Sequence, residues 1–142
     1  MNNNFPVIVA AILGNAASME RLLKDPRVDA TIDDNKPLKI ASEKGHLDVV
    51  EVLLKHGIDP TTSHNYVVRT AARNGRVDVL KRLLEDPRVD PKDVNDEVLK
   101  AALINKHSPD ADERRRAKEI LNLLFNDPRI GITRQELKGS LN

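Results

Sequence analysis

The residues able to bind a metal or to act as nucleophiles are few and widely separated along the chain. The four histidines lie on four separate turns, and there is no cysteine. A structural zinc site needs four protein ligands at short spacing. We therefore expect no metal site at His46, His56, His64 or His107. The absence of cysteine also excludes a disulfide framework.

Acidic residues are the next candidates for chemistry. Asp33 and Asp34 form one pair, and Asp110, Asp112 and Glu113 form a second group. Both sets lie near turns and the starts of helical patterns, where carboxylates stabilise the positive end of a helix. The chain has no glycine-rich phosphate loop, no nucleophile elbow and no catalytic Ser, His and Asp arrangement. The sequence therefore predicts a protein that is not an enzyme and takes no cofactor.

A third candidate is the run of Arg114, Arg115 and Arg116, which could contact phosphate groups. The chain has 23 Lys and Arg against 22 Asp and Glu, a formal net charge of +1. That balance gives no net field to attract nucleic acid or an anionic membrane. Acidic residues also precede the run directly. Nucleic-acid binding by this run is therefore disfavoured but stays open. The other two possible roles are a solvated extension of a helix and a contact for a protein partner.

Length and composition indicate one domain with an aliphatic core. The 142 residues are 39% hydrophobic, and only Phe5, Tyr66 and Phe125 carry large rings. No apolar run approaches the ~18 residues of a membrane-spanning helix, and the first four residues lack the basic stretch of a signal peptide. We expect an intracellular protein of the cytoplasm, with the nucleus also open. We further expect it to be a monomer that does not contact membranes.

The strongest signal is self-similarity with a period of 30 or 31 residues. Each copy has an alanine, a glycine four residues later, and a Leu-Leu pair that begins eight residues after the glycine. Such a period indicates stacked structural units, because one short unit cannot bury its apolar face alone. The matching positions are Ala10, Ala41 and Ala71, then Gly14, Gly45 and Gly75, and then Leu22-Leu23, Leu53-Leu54 and Leu83-Leu84.

Each copy has the pattern of two helices joined by a turn, as the second copy illustrates. Pro37 suits the first turn of a helix, and Gly45 ends that helix because glycine adopts left-handed angles at low cost. Leu47, Val50, Leu53 and Leu54 form an apolar stripe at helical spacing and predict the second helix. Gly57 ends it here, whereas Asp-Pro-Arg sequences at 25–27 and 86–88 end it in the first and third copies.

A fourth copy begins at Asn95, but its second half matches the third copy at an offset of 41 instead of 30, which leaves about eleven extra residues near 105–115. Ser108 and Pro109 predict the start of one long final helix, about 109–126. Residues 133–136 have capping-box spacing. Residues 133–142 are predicted to be a C-terminal cap or the start of a truncated repeat.

The pattern resembles the ankyrin repeat, whose units open with Thr-Pro-Leu-His-x-Ala. The second copy has Lys36-Pro37-Leu38-Lys39-Ile40-Ala41, and residues 41–57 and 71–80 are close to the family's pattern. The resemblance implies an all-α helix-turn-helix solenoid of about four stacked repeats with atypical end caps. The single domain 1–142 would then have repeats at about 4–33, 34–63, 64–94 and 95–132. Because Thr and His are missing from the opening motif, we expect fewer side-chain bonds between repeats and outward-pointing charges at Lys39 and Arg69.

The resemblance also implies a binding surface, because the family binds partners through its loop tips and the ends of its first helices, beside a concave face. Carried over to this chain, these positions are Asp33, Asn35, Lys36, Glu43 and Lys44, then Ser63, Asn65, Tyr66, Arg73 and Asn74, and then Asp93, Asn95 and Asp96. Lys39, Arg69 and Lys100 are assigned to the family's histidine position as a basic row. That row is either solvated or faces an acidic partner segment, and Tyr66 either anchors a partner or packs on the neighbouring tip.

The function implied is a non-catalytic scaffold that binds another protein through this surface. Two alternatives stay open. The chain could be the ankyrin segment of a larger adaptor or effector, such as a substrate adaptor of a ubiquitin ligase. It could also bind nucleic acid weakly through residues 114–116.

Overall fold

The computed structural model describes residues 4–93 and 96–129, with side chains for 4–92 and 98–129. Within these residues the protein is all-helical, with eight α-helices that follow one another as four pairs. The pairs are α1 (Phe5–Leu13) with α2 (Ala16–Leu23), α3 (Ile32–Lys44) with α4 (Leu47–Lys55), α5 (Thr62–Arg73) with α6 (Val77–Glu85), and α7 (Asp96–Asn105) with α8 (Ala111–Asn126). The predicted all-α helix-turn-helix stack is confirmed.

The core is a continuous aliphatic seam between successive pairs. First helices pack against first helices, and second helices against second helices. Leu53 and Leu83 face this seam and have no exposed surface, whereas Leu22, at the same position of the first pair, is only partly buried. The difference arises because Leu53 and Leu83 have a pair on either side. Among the first three pairs the first helices pack against one another more extensively than the second helices do.

A left-handed turn precedes the first helix of the second and third pairs. Residues 33–35 and 63–65 all have positive φ, between 50° and 61°. The right-handed part of α3 therefore begins at residue 36, next to Pro37, as the sequence predicts. Asp29 and Asp59 stabilise the segments just before these turns. Each carboxylate accepts hydrogen bonds from the backbone N–H and the hydroxyl of the threonine two residues later.

The glycines between paired helices have a role that the sequence did not reveal. A Cβ added at Gly14 would lie 2.6 Å from the His46 ring, and one at Gly45 would lie 2.8 Å from Cδ of Arg76. Each of these side chains comes from the following pair and reaches back over the glycine. His46 Nε2 donates to the carbonyl of Ile12 at 3.1 Å, and Arg76 Nε donates to that of Glu43 at 3.0 Å. The glycine thus ends one helix and makes room for the next repeat.

A pair of glycine variants separates these two roles. Gly57→Ala places a side chain at φ +90° with no atom within 4 Å, so we expect only the backbone cost of about 1 kcal/mol. Gly45→Ala has the same backbone cost at φ +78° and also displaces Arg76. We expect the free energy of unfolding, from urea denaturation, to fall by about 1 kcal/mol more for Gly45→Ala. Equal losses would show that the Arg76 contact contributes nothing.

The Asp-Pro-Arg sequences at 25–27, 86–88 and 127–129 each form a clasp between the arginine and the aspartate, and the second and third also join neighbouring repeats. In each one the arginine donates to the aspartate two residues before it, as between Arg88 Nη2 and Asp86 Oδ2 at 2.8 Å. Arg88 also donates to the Gly57 carbonyl of the preceding loop. Arg129 likewise donates to the carbonyls of Leu84 and Val89. Proline stops the helix, as predicted, and the residues beside it then connect the repeats.

The last helix begins two residues later than Ser108 and Pro109 predict. Its N-cap is Asp110, whose carboxylate accepts hydrogen bonds from the backbone N–H groups of Asp112 and Glu113. Ser108 instead accepts from the Asp110 N–H and donates to Glu113. The prediction of one long final helix is nevertheless correct, since α8 has 16 residues. The predictions for residues 133–142 lie outside the described residues.

Two further observations concern the part of the chain that the structure describes. No helix there combines the length and the apolar character needed to cross a membrane. No three His, Asp or Glu side chains lie close enough together there to hold a metal ion.

Candidate functional site

The candidate site is the face that α3 and α5 present on the side of the first helices, where the resemblance places the binding surface. Positions at helical spacing i, i+3 and i+7 share one side of a helix. On α3 these are Lys36, Lys39 and Glu43, and on α5 they are Tyr66, Arg69 and Arg73. Because α3 packs directly against α5, the six side chains form one continuous surface, which we call the central face.

Lys39 connects the two repeats at the centre of this face. Its Nζ donates to Asp34 Oδ2 at 2.8 Å and to Ser63 Oγ at 3.0 Å, and it lies 5.3 Å from the centre of the Tyr66 ring. Ser63 also donates to Asp34. The bonds from Lys39 and then from Ser63 lower the pKa of the Asp34 carboxyl. The expected loss of bonds between repeats is therefore wrong here, since Lys39 supplies a new set in place of the family's histidine.

Arg69 is held by backbone carbonyls instead of by an acid. Its guanidinium donates to His64 O at 3.2 Å and to Ser63 O at 3.5 Å, which are both in the left-handed turn before α5. The sequence predicted an outward-pointing charge at Arg69, and the structure adds that this charged end is bonded to the turn. These bonds fix the side chain, and no carboxylate among the described residues forms an ion pair with it, so Arg69 presents a positioned cation. Arg73, one turn further along α5, is exposed.

Tyr66 is partly buried and packs against the core cluster, beneath Lys39. The ring therefore has a packing role, and only the part of it that stays exposed is available to a partner. Asp33, Lys36, Glu43 and Lys44 are exposed, and Ser63 and Asn74 are partly exposed beside them.

Asn35 and Asn65 were expected on the binding surface, but the structure buries both, with 4% and 7% of their surfaces exposed. The Asn35 side-chain amide donates to the Asp59 carbonyl and to the Thr62 hydroxyl of the next repeat. Asn4, at the same position of the first repeat, is also buried and accepts from the Asp29 N–H. Asn4 and Asn35 thus bond to the loop that follows their own helix pair, and buried side chains of this kind have almost no surface to offer a partner.

The basic row has two members and not three. Thirty residues after Arg69 the sequence has Leu99, which is buried, whereas Lys100 is exposed on another side of α7. Lys100 therefore does not continue the row of Lys39 and Arg69, although it stays on the surface. The remaining positions expected in the fourth repeat, Asp93, Asn95 and Asp96, have side chains outside the described residues.

The arginine run on α8 is mostly engaged within the protein. Arg114 Nη1 donates to the carbonyls of Ser108 and Pro109, at 2.6 and 2.8 Å. Arg116 lies over Gly75, where it occupies the position that Arg76 takes over Gly45. Arg115 is exposed and contacts Asp112 at 3.4 Å. The three arginines therefore do not form a single phosphate-binding surface.

A family model described as ankyrin repeats (3 copies) matches residues 1–64. No solved structure was found to match the chain. The matched segment holds α1 to α4 and the start of α5. The same kind of helix pair recurs in α5 and α6, where a side chain of the following pair again lies over the glycine between the two helices. Ankyrin repeats are generally protein–protein interaction modules, and the family is typically non-catalytic. Residues 1–64 thus match the ankyrin repeat family, and the all-helical stack of helix pairs in the described residues is consistent with ankyrin repeats.

Proposed function

We propose that this protein is a non-catalytic scaffold that binds another protein through the central face and the turns beside it. The observation that carries the proposal is the row of positioned cations on α3 and α5. Lys39 and Arg69 are fixed by bonds to neighbouring residues, so little side-chain freedom is lost when a partner binds. Exposed Lys36 and Arg73 lie at the two ends of the same face.

The charge of this face favours a partner with an acidic segment. Lys36, Lys39, Arg69 and Arg73 lie there with Glu43 as the one acid among the six positions. Opposite charges across an interface speed association and suppress wrong partners more than they raise affinity. We therefore infer that this face selects the partner, while aromatic and aliphatic contacts, including Tyr66, supply most of the binding energy.

The two alternative functions differ in how well they fit the structure. Arg114 and Arg116 bind within their own repeat or over its neighbour, which weakens the case for nucleic acid. A role as one segment of a larger adaptor is compatible with the proposed surface, since the segment would use the same face. We infer an intracellular monomer, in line with the absence of cysteine and the balanced charge.

Charge reversal on the central face tests the proposal. We expect Lys36→Glu with Arg73→Glu to reduce recovery of bound partners about ten-fold, because like charges would then oppose an acidic segment. The measurement is quantitative mass spectrometry of proteins retained from a cell extract, compared with the unchanged protein.

The matched control reverses two exposed lysines on the second helices, Lys55→Glu with Lys81→Glu. This variant has the same net charge as the first one, so a general charge effect would appear in both. Retention that is equal for the two variants would contradict the proposed binding face. Binding of duplex DNA that falls steeply with salt would favour the nucleic-acid alternative instead.

A further inference from the structure

A pocket lies between the third and fourth helix pairs, beside the end of the central face. It has a volume of about 130 Å³ and is lined by residues of α5, α7 and α8. Its buried lining is apolar and mostly small, as at Ala72, Ala102 and Ala117. Arg73 and Arg116 are among its polar lining residues. Because Arg73 also belongs to the central face, the pocket continues that face.

The extra residues of the fourth repeat build one wall of this pocket. By the offset of 41, Lys118 corresponds to Val77, the first residue of α6, whereas α8 begins at Ala111. Helix α8 thus has about two turns that α6 lacks. Glu113 and Arg116 lie in these turns and line the pocket. A repeat without the extra turns would lack this wall.

Arg116 brings to the pocket a positive charge that is not bonded within the protein. It is partly buried, and a Cβ added at Gly75 would lie 2.8 Å from its Cδ. It forms no hydrogen bond or ion pair within the described part of the chain. Glu113 instead accepts a bond from Ser108, and Asp110, which lies within electrostatic range of Arg116, is bonded to the first-turn amides of α8. Burying a charge costs free energy unless an opposite charge accompanies it, so Arg116 favours an anionic group in the pocket.

The acidic segment proposed for the central face carries such a group. One guanidinium can donate two parallel hydrogen bonds to a carboxylate. Asn74 and Asn105 also line the pocket, and their side-chain amides can donate to a carboxylate oxygen. The small apolar residues leave room for the methylene groups of an acidic side chain. A segment that lies along α5 past Arg73 therefore reaches the pocket.

We propose that this pocket, which we call the α8 pocket, binds an acidic side chain of the partner segment, with its carboxylate bonded to Arg116. The inference rests on the proposed function, because the central face holds the rest of that segment. It gives the extra turns of α8 a role in selecting the partner. A segment with an acid at this position binds more tightly than one with a neutral residue there.

Two peptides with acetylated and amidated ends test this inference on the whole chain. One consists of about six glutamates and the other of the same number of glutamines, and an extended chain of this length spans about 20 Å. Nuclear magnetic resonance follows the backbone amide signals during titration. Signals of Gly75 and Ala117 report on the α8 pocket, and those of Lys39 and Arg69 report on the central face. We expect the glutamate peptide to shift both sets and the glutamine peptide to shift neither.

Arg116→Gln should weaken binding of the glutamate peptide about ten-fold. The matched control is Arg115→Gln, which removes the same charge from an exposed neighbour that does not line the α8 pocket. We expect a change of less than about two-fold for this control, because exposed charges are screened by solvent and salt. Arg116→Lys keeps the charge and most of the packing over Gly75, and it should stay within about three-fold of the unchanged protein. Circular dichroism checks that the variants are folded.

The two sets of signals allow this inference and the proposed function to fail separately. Shifts on the central face without shifts in the α8 pocket would overturn the inference and leave the proposed function intact. Shifts in the α8 pocket alone would support carboxylate binding there and contradict the proposed function, and no shift in either set would count against both. Equal weakening by Arg116→Gln and Arg115→Gln would also overturn the inference, because only the overall charge would then matter.

Discussion

Leu53→Ala is expected to lower the free energy of unfolding by about 2–5 kcal/mol, the usual cost of a large cavity in a packed core. Leu53 has no exposed surface and lies in the second pair, with a pair on either side. Leu22→Ala removes the same atoms at the same position of the first pair, where the side chain is partly exposed. We expect a smaller loss of about 1–2 kcal/mol there, because fewer contacts are removed.

Urea denaturation monitored by circular dichroism measures both variants. Four short units that share one seam should unfold together, so each variant should show a single transition with an unchanged slope. A loss at Leu22 as large as that at Leu53 would contradict the nearest-neighbour description of the stack. A second transition in the Leu53 variant would show that the two halves of the stack unfold separately.

Arg88→Ala has the second largest expected effect, a loss of about 1–3 kcal/mol. Its partner Asp86 is 5% exposed, so removal of the arginine leaves a buried carboxylate without its charge-assisted bonds. The bond to the Gly57 carbonyl of the preceding repeat is lost as well. Thermal and urea unfolding of the purified variant measure this loss.

Arg27→Ala is the matched control for Arg88→Ala. Arg27 forms the same clasp with Asp25, but it is largely exposed and bonds to no other residue in the described part of the chain. Exposed ion pairs contribute little to stability, so we expect no measurable change. A similar loss for the two variants would show that the clasp acts within its own loop and does not join repeats.

The effect of Arg88→Ala should also depend on pH. Hydrogen bonds from Arg88 lower the pKa of the folded Asp86 carboxyl below its unfolded value of about 3.9. The ionised form therefore favours folding, and its contribution is present above that pH and is lost as the pH falls through the folded pKa. The stability difference between the protein and the variant should be constant near pH 7 and shrink below about pH 4. A difference that grows in acid would contradict this assignment.

The repeats and their helices could be predicted from the sequence because they depend on local patterns. The 30- and 31-residue period, the Leu-Leu stripes and the Gly45 stop are each visible within one copy or between two copies. The start of α8 was predicted less accurately. Ser108, Pro109 and Asp110 are all acceptable near a helix start, and only the bonds that the first-turn amides donate to Asp110 select one position.

The candidate surface was predicted only in part. Exposed Lys36, Glu43 and Arg73 follow from helical spacing, whereas the burial of Asn35 goes with a bond to Asp59, in the loop that leads to the next helix pair. An asparagine at a turn is ordinarily a surface residue, so its type gave no sign of that bond. Asn4, Asn35 and Asn65 do recur at the repeat period, and this recurrence of a polar residue was the available signal.

The sequence by itself determined the secondary structure, the number of helix pairs and the side of each helix that is buried, because hydrophobic spacing and turn residues act over a few positions. The tertiary structure decided which polar residues join repeats. Arg76, Arg88 and Lys39 look like surface charges in the sequence, yet each bonds to a residue 24 to 33 positions away. Such bonds depend on how two repeats are placed relative to each other, and stacking alone sets that placement.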